Sequence, residues 1–296
     1  MAEIRFDALL PQEMATRAED LGVRKAEMPF LKMFMLSVLA GAFISLGSIF
    51  ATTVAAGGMI VMGADGSAVY TIALPYGVTR LLMGIVFCLG LILVVVGGAE
   101  LFTGNNLIVM AWASRKVTGR ALLRNWVIVY LGNFVGSFGT AALMFFTRQY
   151  TFGSNTVGLA ALRIAVAKVD LAFSQAIALG ILCNALVCLA VWLTYSARST
   201  VDKIFAIVFP IAAFVAAGFE HSVANMYFIP YALFIKYFDA DFIDAVGDKV
   251  PKIDLLTWKA FFIDNLIPVT IGNIIGGAVL VAAVYWAIFL RTSETR

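Results

Sequence analysis

The sequence predicts an all-α membrane protein whose six transmembrane helices form two inverted three-helix repeats, with spans two and five broken. Three observations carry that expectation. The 296 residues are 62% apolar and only 13% charged, against roughly 45–50% and 25% in soluble domains. Six apolar regions are long enough to cross a bilayer, and one polar motif recurs in both halves of the chain at the same internal spacing.

Residues 1–28 are polar and charged, unlike the apolar core of a secretory leader. Within them Phe6, Leu9, Leu10, Met14, Ala18 and Leu21 recur at near-helical spacing, which predicts an amphipathic helix on one membrane face. A simple interfacial anchor and a gate over a pathway are both compatible with that pattern. From residue 33 to residue 290 no long polar linker interrupts the apolar runs, so 29–290 reads as one membrane domain, followed by a short tail over 291–296.

A span needs roughly 20 apolar residues, and the candidates cover about 33–56, 78–113, 121–147, 171–196, 203–236 and 261–290. Regions two and five are too long for one span and too short for a hairpin of two, and each carries polar residues at its centre. An even number of spans puts both termini on one side. The connections on that side are basic, with Arg115, Lys116, Arg120 and Arg124 in one of them, whereas the opposite side holds the run Asp239, Asp241, Asp244, Asp248 and Asp254. The positive-inside rule then puts both termini in the cytoplasm. The net charge of +3 reflects this asymmetry, and no nucleic-acid partner is expected. Cys88, Cys183 and Cys188 lie inside apolar runs without metal-ligand spacing, so neither a metal nor another cofactor is expected.

Gly98, Glu100 and Asn105 in span two stand at the same spacing as Gly218, Glu220 and Asn225 in span five. The following spans repeat as well: Asn125, Gly132, Asn133 and Gly136 match Asn265, Gly272, Asn273 and Gly276. Each repeat has an odd number of spans, so the second enters the membrane from the opposite side. Matching breaks in inverted halves point to a transport site near the bilayer midplane. Irregular backbone at that depth has to be buried in protein or face water, because each unpaired peptide group costs several kcal/mol in hydrocarbon. The glycine pairs have the small-x-x-x-small spacing of closely packed helices.

His221, the single histidine, sits in the second break between Glu220 and Ser222. An ionisable ring at membrane depth reads as part of a pathway, with a merely hydrogen-bonded histidine as the alternative. Glu100 and Glu220 read first as structural, each carboxylate accepting from backbone N–H groups freed at the break, since a fixed negative charge would repel anions. Thr103, beside Gly104 in the first break, offers a hydroxyl that donates and accepts, and a satisfied loop threonine fits it equally. Asn184 fits an interhelical hydrogen bond or a solute contact, and Lys168 fits a snorkelling residue at the outer interface. Periodicity does not separate Phe87, Leu91, Leu101, Val187 and Phe214 from ordinary packing residues.

Four stretches, GGAELFTGNN with its continuation NWVIVYLGNFVG, CNALVCLAVWLTYSARS, FVAAGFEHSVANMYFIP and DNLIPVTIGNIIGG, resemble the formate/nitrite transporter family over nearly the whole chain. The opening RFDALLPQEMATRAEDLGVRKA is most similar to its bacterial formate channel branch. The resemblance implies an aquaporin-like fold, a homopentamer with one pore per subunit, and a bacterial inner-membrane location. It also implies that Thr103 sits on the loop interrupting span two, that His221 faces the pore, and that Asn184 and Lys168 help receive the anion. Phe87 and Phe214 would form the outer constriction, and Leu91, Leu101 and Val187 the narrowing near the centre and the cytoplasmic side.

Elementary energetics then frame the chemistry. Moving a carboxylate-sized ion into a medium of low dielectric costs on the order of 20 kcal/mol before relaxation. Protonating a weak carboxylic acid near pH 7 costs about 3 to 4 pKa units, or roughly 5 kcal/mol. The expectation is therefore that His221 and Thr103 give the bound anion a proton or a strong hydrogen bond. A nitrite or hydrosulfide channel and a proton-coupled formate transporter are the alternatives. A membrane enzyme would need a nucleophile arrangement, metal cluster or nucleotide loop, and none is present as a motif.

Overall fold

The computed structural model describes residues 7–62, 68–72 and 74–291. Phe6 of the predicted amphipathic face and residues 292–296 of the predicted tail lie outside the described residues. Among the described residues six helices are long and apolar enough to cross a membrane: α2 (Phe30–Ala55), α3 (Tyr76–Gly97), α5 (Gly119–Phe146), α7 (Phe173–Ser196), α8 (Thr200–Ala217) and α11 (Ala260–Phe289). The remaining helices are α1 (Pro11–Ala26), α4 (Val109–Ala113), α6 (Thr156–Val169), α9 (Ser222–Phe238) and α10 (Ala240–Val246). Among the described residues the one departure from an all-helical chain is a short antiparallel hairpin between α2 and α3, β1 (Met59–Met62) against β2 (Ala68–Ile72), where Ile, Val, Thr and Tyr favour strands.

Span two is α3 continued, after a break, by a 3₁₀ turn over Gly104–Ile108 and then α4; span five is α8 continued, after a break, by α9. Both breaks begin the same way. Gly98 (φ 81°) and Gly218 (φ 78°) end α3 and α8 in the left-handed region, which a residue without Cβ adopts freely. The predicted glycine packing positions bring backbones together: a Cβ on Gly136 would stand 2.0 Å from the Val38 carbonyl oxygen of α2, and one on Gly276 2.1 Å from the Ile181 oxygen of α7. Span six has π-helical turns over Ala260–Leu266 and Ile275–Ala283, a distortion common beside functional sites.

Helix α1 does more than lie on a surface. Leu10 on its predicted apolar face is exposed, but Met14, Ala15, Ala18 and Ala26 are buried in a satellite core with Met110, Trp192 and Ala282. Gln12 donates to the Phe289 carbonyl at 2.6 Å, Arg17 donates to the Tyr195 carbonyl at 3.2 Å, and buried Glu19 pairs with Lys116. The two ends of the described chain therefore lie on the same side of the bundle.

On the opposite side, Tyr150 donates its hydroxyl to Asp239 at 2.6 Å, Arg148 pairs with the same carboxylate oxygen at 3.1 Å, and the other oxygen accepts from Phe242 N–H at 3.0 Å. The Tyr150 hydroxyl above all, with Phe242 N–H and Arg148 behind it, holds the Asp239 carboxyl below its ordinary value. Such a carboxyl adds stability above its unfolded pKa of about 3.9 and loses it as pH falls through the native value. The loss of Tm caused by Tyr150→Phe is therefore expected to be largest near neutrality and to shrink below about pH 4. A difference that stays constant from neutral to acid pH would contradict this.

Candidate functional site

The two breaks share a set of hydrogen bonds. Lys25 Nζ meets Glu100 Oε1 at 2.7 Å, and Lys168 Nζ meets Glu220 Oε1 at 2.8 Å. The second oxygen of each carboxylate accepts from Asn105 or Asn225, at 2.7 Å in both cases. These asparagines also donate to Asn125 at 2.9 Å and Asn265 at 2.7 Å, which donate in turn to the backbone carbonyls of Lys25 and Lys168. Asn133 accepts from Phe102 N–H and donates to the Ser37 and Glu100 carbonyls; Asn273 accepts from Ser222 N–H and donates to the Gly180 and Glu220 carbonyls. Every irregular strand of backbone is thus tied to a neighbouring span, as burial in hydrocarbon requires.

The glutamates differ from expectation in their partners. Glu100 and Glu220 are buried, but they accept from lysine and asparagine side chains, while their own N–H groups go to the Leu36 and Leu179 carbonyls. The reason lies in the asparagine collar, which already satisfies backbone at the breaks and leaves the carboxylates to neutralise two partly buried ammonium groups. Lys25 was not singled out from the sequence as a site residue. It precedes Leu36 by the interval at which Lys168 precedes Leu179, so extending the repeat search towards the N-terminus would have found it.

Two cavities open from opposite sides; the one beside α1 is called inner and the one away from it outer. The outer one, about 510 Å³, is lined by Phe87, Phe214 and His221, with Arg80, Arg163 and Lys168 as its cations and, among the described residues, Glu220 as its only carboxylate. The inner one, about 320 Å³, is lined by Leu91, Leu101 and Tyr195, with Arg17, Lys25 and Lys203 against, among the described residues, Glu100 alone. Both vestibules are net positive, which raises the local concentration of anions. The floor of the outer cavity is apolar: the Phe87 and Phe214 rings meet edge to face at 5.6 Å between centroids. Leu91, Leu101 and Val187 are buried.

The groups facing each other across the two breaks are Thr103 and His221, whose Oγ1 and Nε2 stand 3.1 Å apart, both buried. His221 is also the N-cap of α9, its Nδ1 accepting from Ala224 N–H at 3.1 Å. A ring nitrogen that accepts carries no proton, so in neutral His221 the proton sits on Nε2 and is donated to Thr103 Oγ1. The Thr103 hydroxyl is then left free to donate. Phe214 stacks on the imidazole at 5.9 Å and 19°. Asn184 is fully buried and donates to the Thr103 carbonyl at 3.3 Å and the Asn273 carbonyl at 2.7 Å, so its amide holds the Thr103 loop. Gly277, on the π-helical part of α11, leaves room for it: a Cβ there would stand 2.4 Å from Asn184 Nδ2. Lys168 pairs with Glu220 and lies over the Phe228 ring at 5.4 Å, so it is held in the vestibule wall.

Six spans, two of them broken, with two positive vestibules separated by an apolar floor, define a multi-pass membrane protein of the channel and transporter class. The family model for formate/nitrite transporters matches residues 12–287, and the chain belongs to that family. It is 46% identical over 294 residues to the formate channel FocA of Escherichia coli K12, covering 99% of both chains. It is 41% identical over 276 residues to FocA of Haemophilus influenzae, covering 93% of this chain and 92% of that one. Among solved structures it is similar to a pentameric formate channel with formate bound, with a TM-score of 0.77 and 44% identity over 88% of this chain and 98% of that one. It is also similar to an FNT family ion channel, with a TM-score of 0.74 and 27% identity over 93% of this chain and 98% of that one.

Proposed function

We propose that the protein is a formate channel of a bacterial cytoplasmic membrane, assembled as a homopentamer with both termini in the cytoplasm, and that it moves its solute without chemical turnover. The observation that carries this reading is the Thr103–His221 contact at 3.1 Å between two net-positive cavities. Likeness to a pentameric formate channel over nearly its whole length supports the assembly and the solute, and the basic connections support the orientation.

Formate drawn into a vestibule sheds water at the phenylalanine floor and accepts from the Thr103 hydroxyl. His221 Nε2–H, donating to Thr103 Oγ1, polarises that hydroxyl and strengthens its bond to the anion. Hydrogen bonds to a charged group contribute about 1.5–3 kcal/mol each. The N-terminus of α9 adds positive potential at the same depth. Full proton transfer along this relay would leave an imidazolate, and an imidazolium would set its Nδ1–H against the Ala224 N–H that the ring caps. The geometry therefore favours a strong hydrogen bond over a transferred proton, and formate crosses partly rather than wholly neutralised.

Purified protein in liposomes should pass formate across a pH series, with nitrite and hydrosulfide competing more weakly, and should have the mass of five subunits. Folded oligomer without formate flux would refute the reading. A fixed proton-to-formate stoichiometry would favour the coupled transporter.

A further inference from the structure

We propose that Arg80 is an anion-selectivity residue of the outer vestibule, acting as a positioning residue through the broken end of α8; the proposal rests on formate permeation as read above. Helix α8 stops at Ala217, inside the protein, and aims its C-terminus at the outer cavity. Gly218 N–H bonds the Val215 carbonyl at 3.1 Å and Phe219 N–H bonds the Phe214 carbonyl at 3.0 Å, which closes only part of the last turn. The carbonyls left over carry the negative pole of the half-helix, equivalent to roughly half an elementary charge. At the mouth of an anion pathway that pole opposes the solute.

Arg80, on the first turns of α3, covers it. Its Nε donates to the Ala216 carbonyl at 3.1 Å, its Nη2 donates to the Val215 carbonyl, and its guanidinium stands 3.3 Å from where a Cβ of Gly218 would lie. The same side chain lines the cavity with Lys168 and His221. Lys168 is matched by Glu220 and Arg163 donates to the Lys249 carbonyl, so the cation bonded to the helix end is Arg80. On the inner side Lys203 of α8 lines the cavity that the end of α3, at Val94, Val95 and Gly98, also lines.

The test uses the full-length protein in right-side-out proteoliposomes, with formate supplied on the outer side. If the native protein passes no formate, the functional reading fails; if it does, the Arg80 variants decide the inference. Arg80→Gln and Arg80→Cys should raise the KM for formate about tenfold, the scale of one partly buried charge at a helix end, with a smaller change in maximal rate. Treating folded Arg80→Cys with a thiol reagent that adds an ammonium group should return KM towards the native value, and one that adds a sulfonate should raise it further. An unchanged KM in Arg80→Gln, or equal effects of the two reagents, would overturn the proposal. Where the neutral replacements do not assemble, Arg80→Lys decides: a KM within about threefold of native supports a charge effect, and one raised tenfold overturns it.

Discussion

Replacing Asn273 by leucine is expected to leave little or no folded protein. The asparagine side chain makes three bonds of 2.9 Å, accepting from Ser222 N–H and donating to the Gly180 and Glu220 carbonyls, and it is wholly buried. Leucine is close to it in volume, so packing is nearly unchanged and the loss is polar. Three backbone groups would be stranded without water, at about 1–3 kcal/mol each, against a total stability of about 5–15 kcal/mol for a typical protein. Asn133→Leu should behave alike, because Asn133 makes the matching bonds in the first break. Asn273→Asp keeps the acceptor and loses both donations, and should fall between. The measurement is the yield of oligomer by size-exclusion chromatography after detergent extraction, followed by Tm. Native yield and Tm in Asn273→Leu would show that the collar is not what holds the breaks.

Thr103→Val should leave assembly intact and cut formate flux on the order of a hundredfold, the effect of removing one donor aimed at a charged group in a water-poor site. Valine matches threonine in shape, and the backbone carbonyl that accepts from Asn184 is kept. Thr103→Ser retains the hydroxyl and should retain most flux. His221→Asn separates the two duties of the ring. Asparagine is a good N-cap, so α9 can keep its bond to Ala224 N–H, but the shorter side chain gives up the Nε2 contact with Thr103. Flux should fall nearly as far as in Thr103→Val, with a smaller change in Tm than a lost cap would cause. If both residues act as one relay, the double variant is little worse than either single one. Additive losses, or native flux in Thr103→Val, would rule the relay out.

Much of this site was legible before any fold was known. The spans follow from local hydropathy, and the breaks from two regions of the wrong length carrying Gly98–Glu100–Asn105 and Gly218–Glu220–Asn225 at equal spacing. His221 stood out because no other histidine exists in the chain. Lys25 was less visible, since its helix is polar, reads as a surface anchor and has no long apolar run to mark it. Asn184 pointed at a contact without saying which: its donors go to two carbonyls, and only the packed structure brings Thr103 and Asn273 to it.

The sequence by itself determined the membrane class, the six spans, the duplicated breaks and the residues standing at them, because hydropathy, helix punctuation and repeat spacing are properties of neighbours along the chain. The tertiary structure decided what each polar side chain is spent on. Glu100 neutralises Lys25 from 75 positions away, Arg80 covers the end of α8 from 136, and His221 reaches Thr103 from 118. In a medium without water a polar group takes its partner from whatever the packing of spans brings within about 3 Å, and that choice is made in space rather than along the chain.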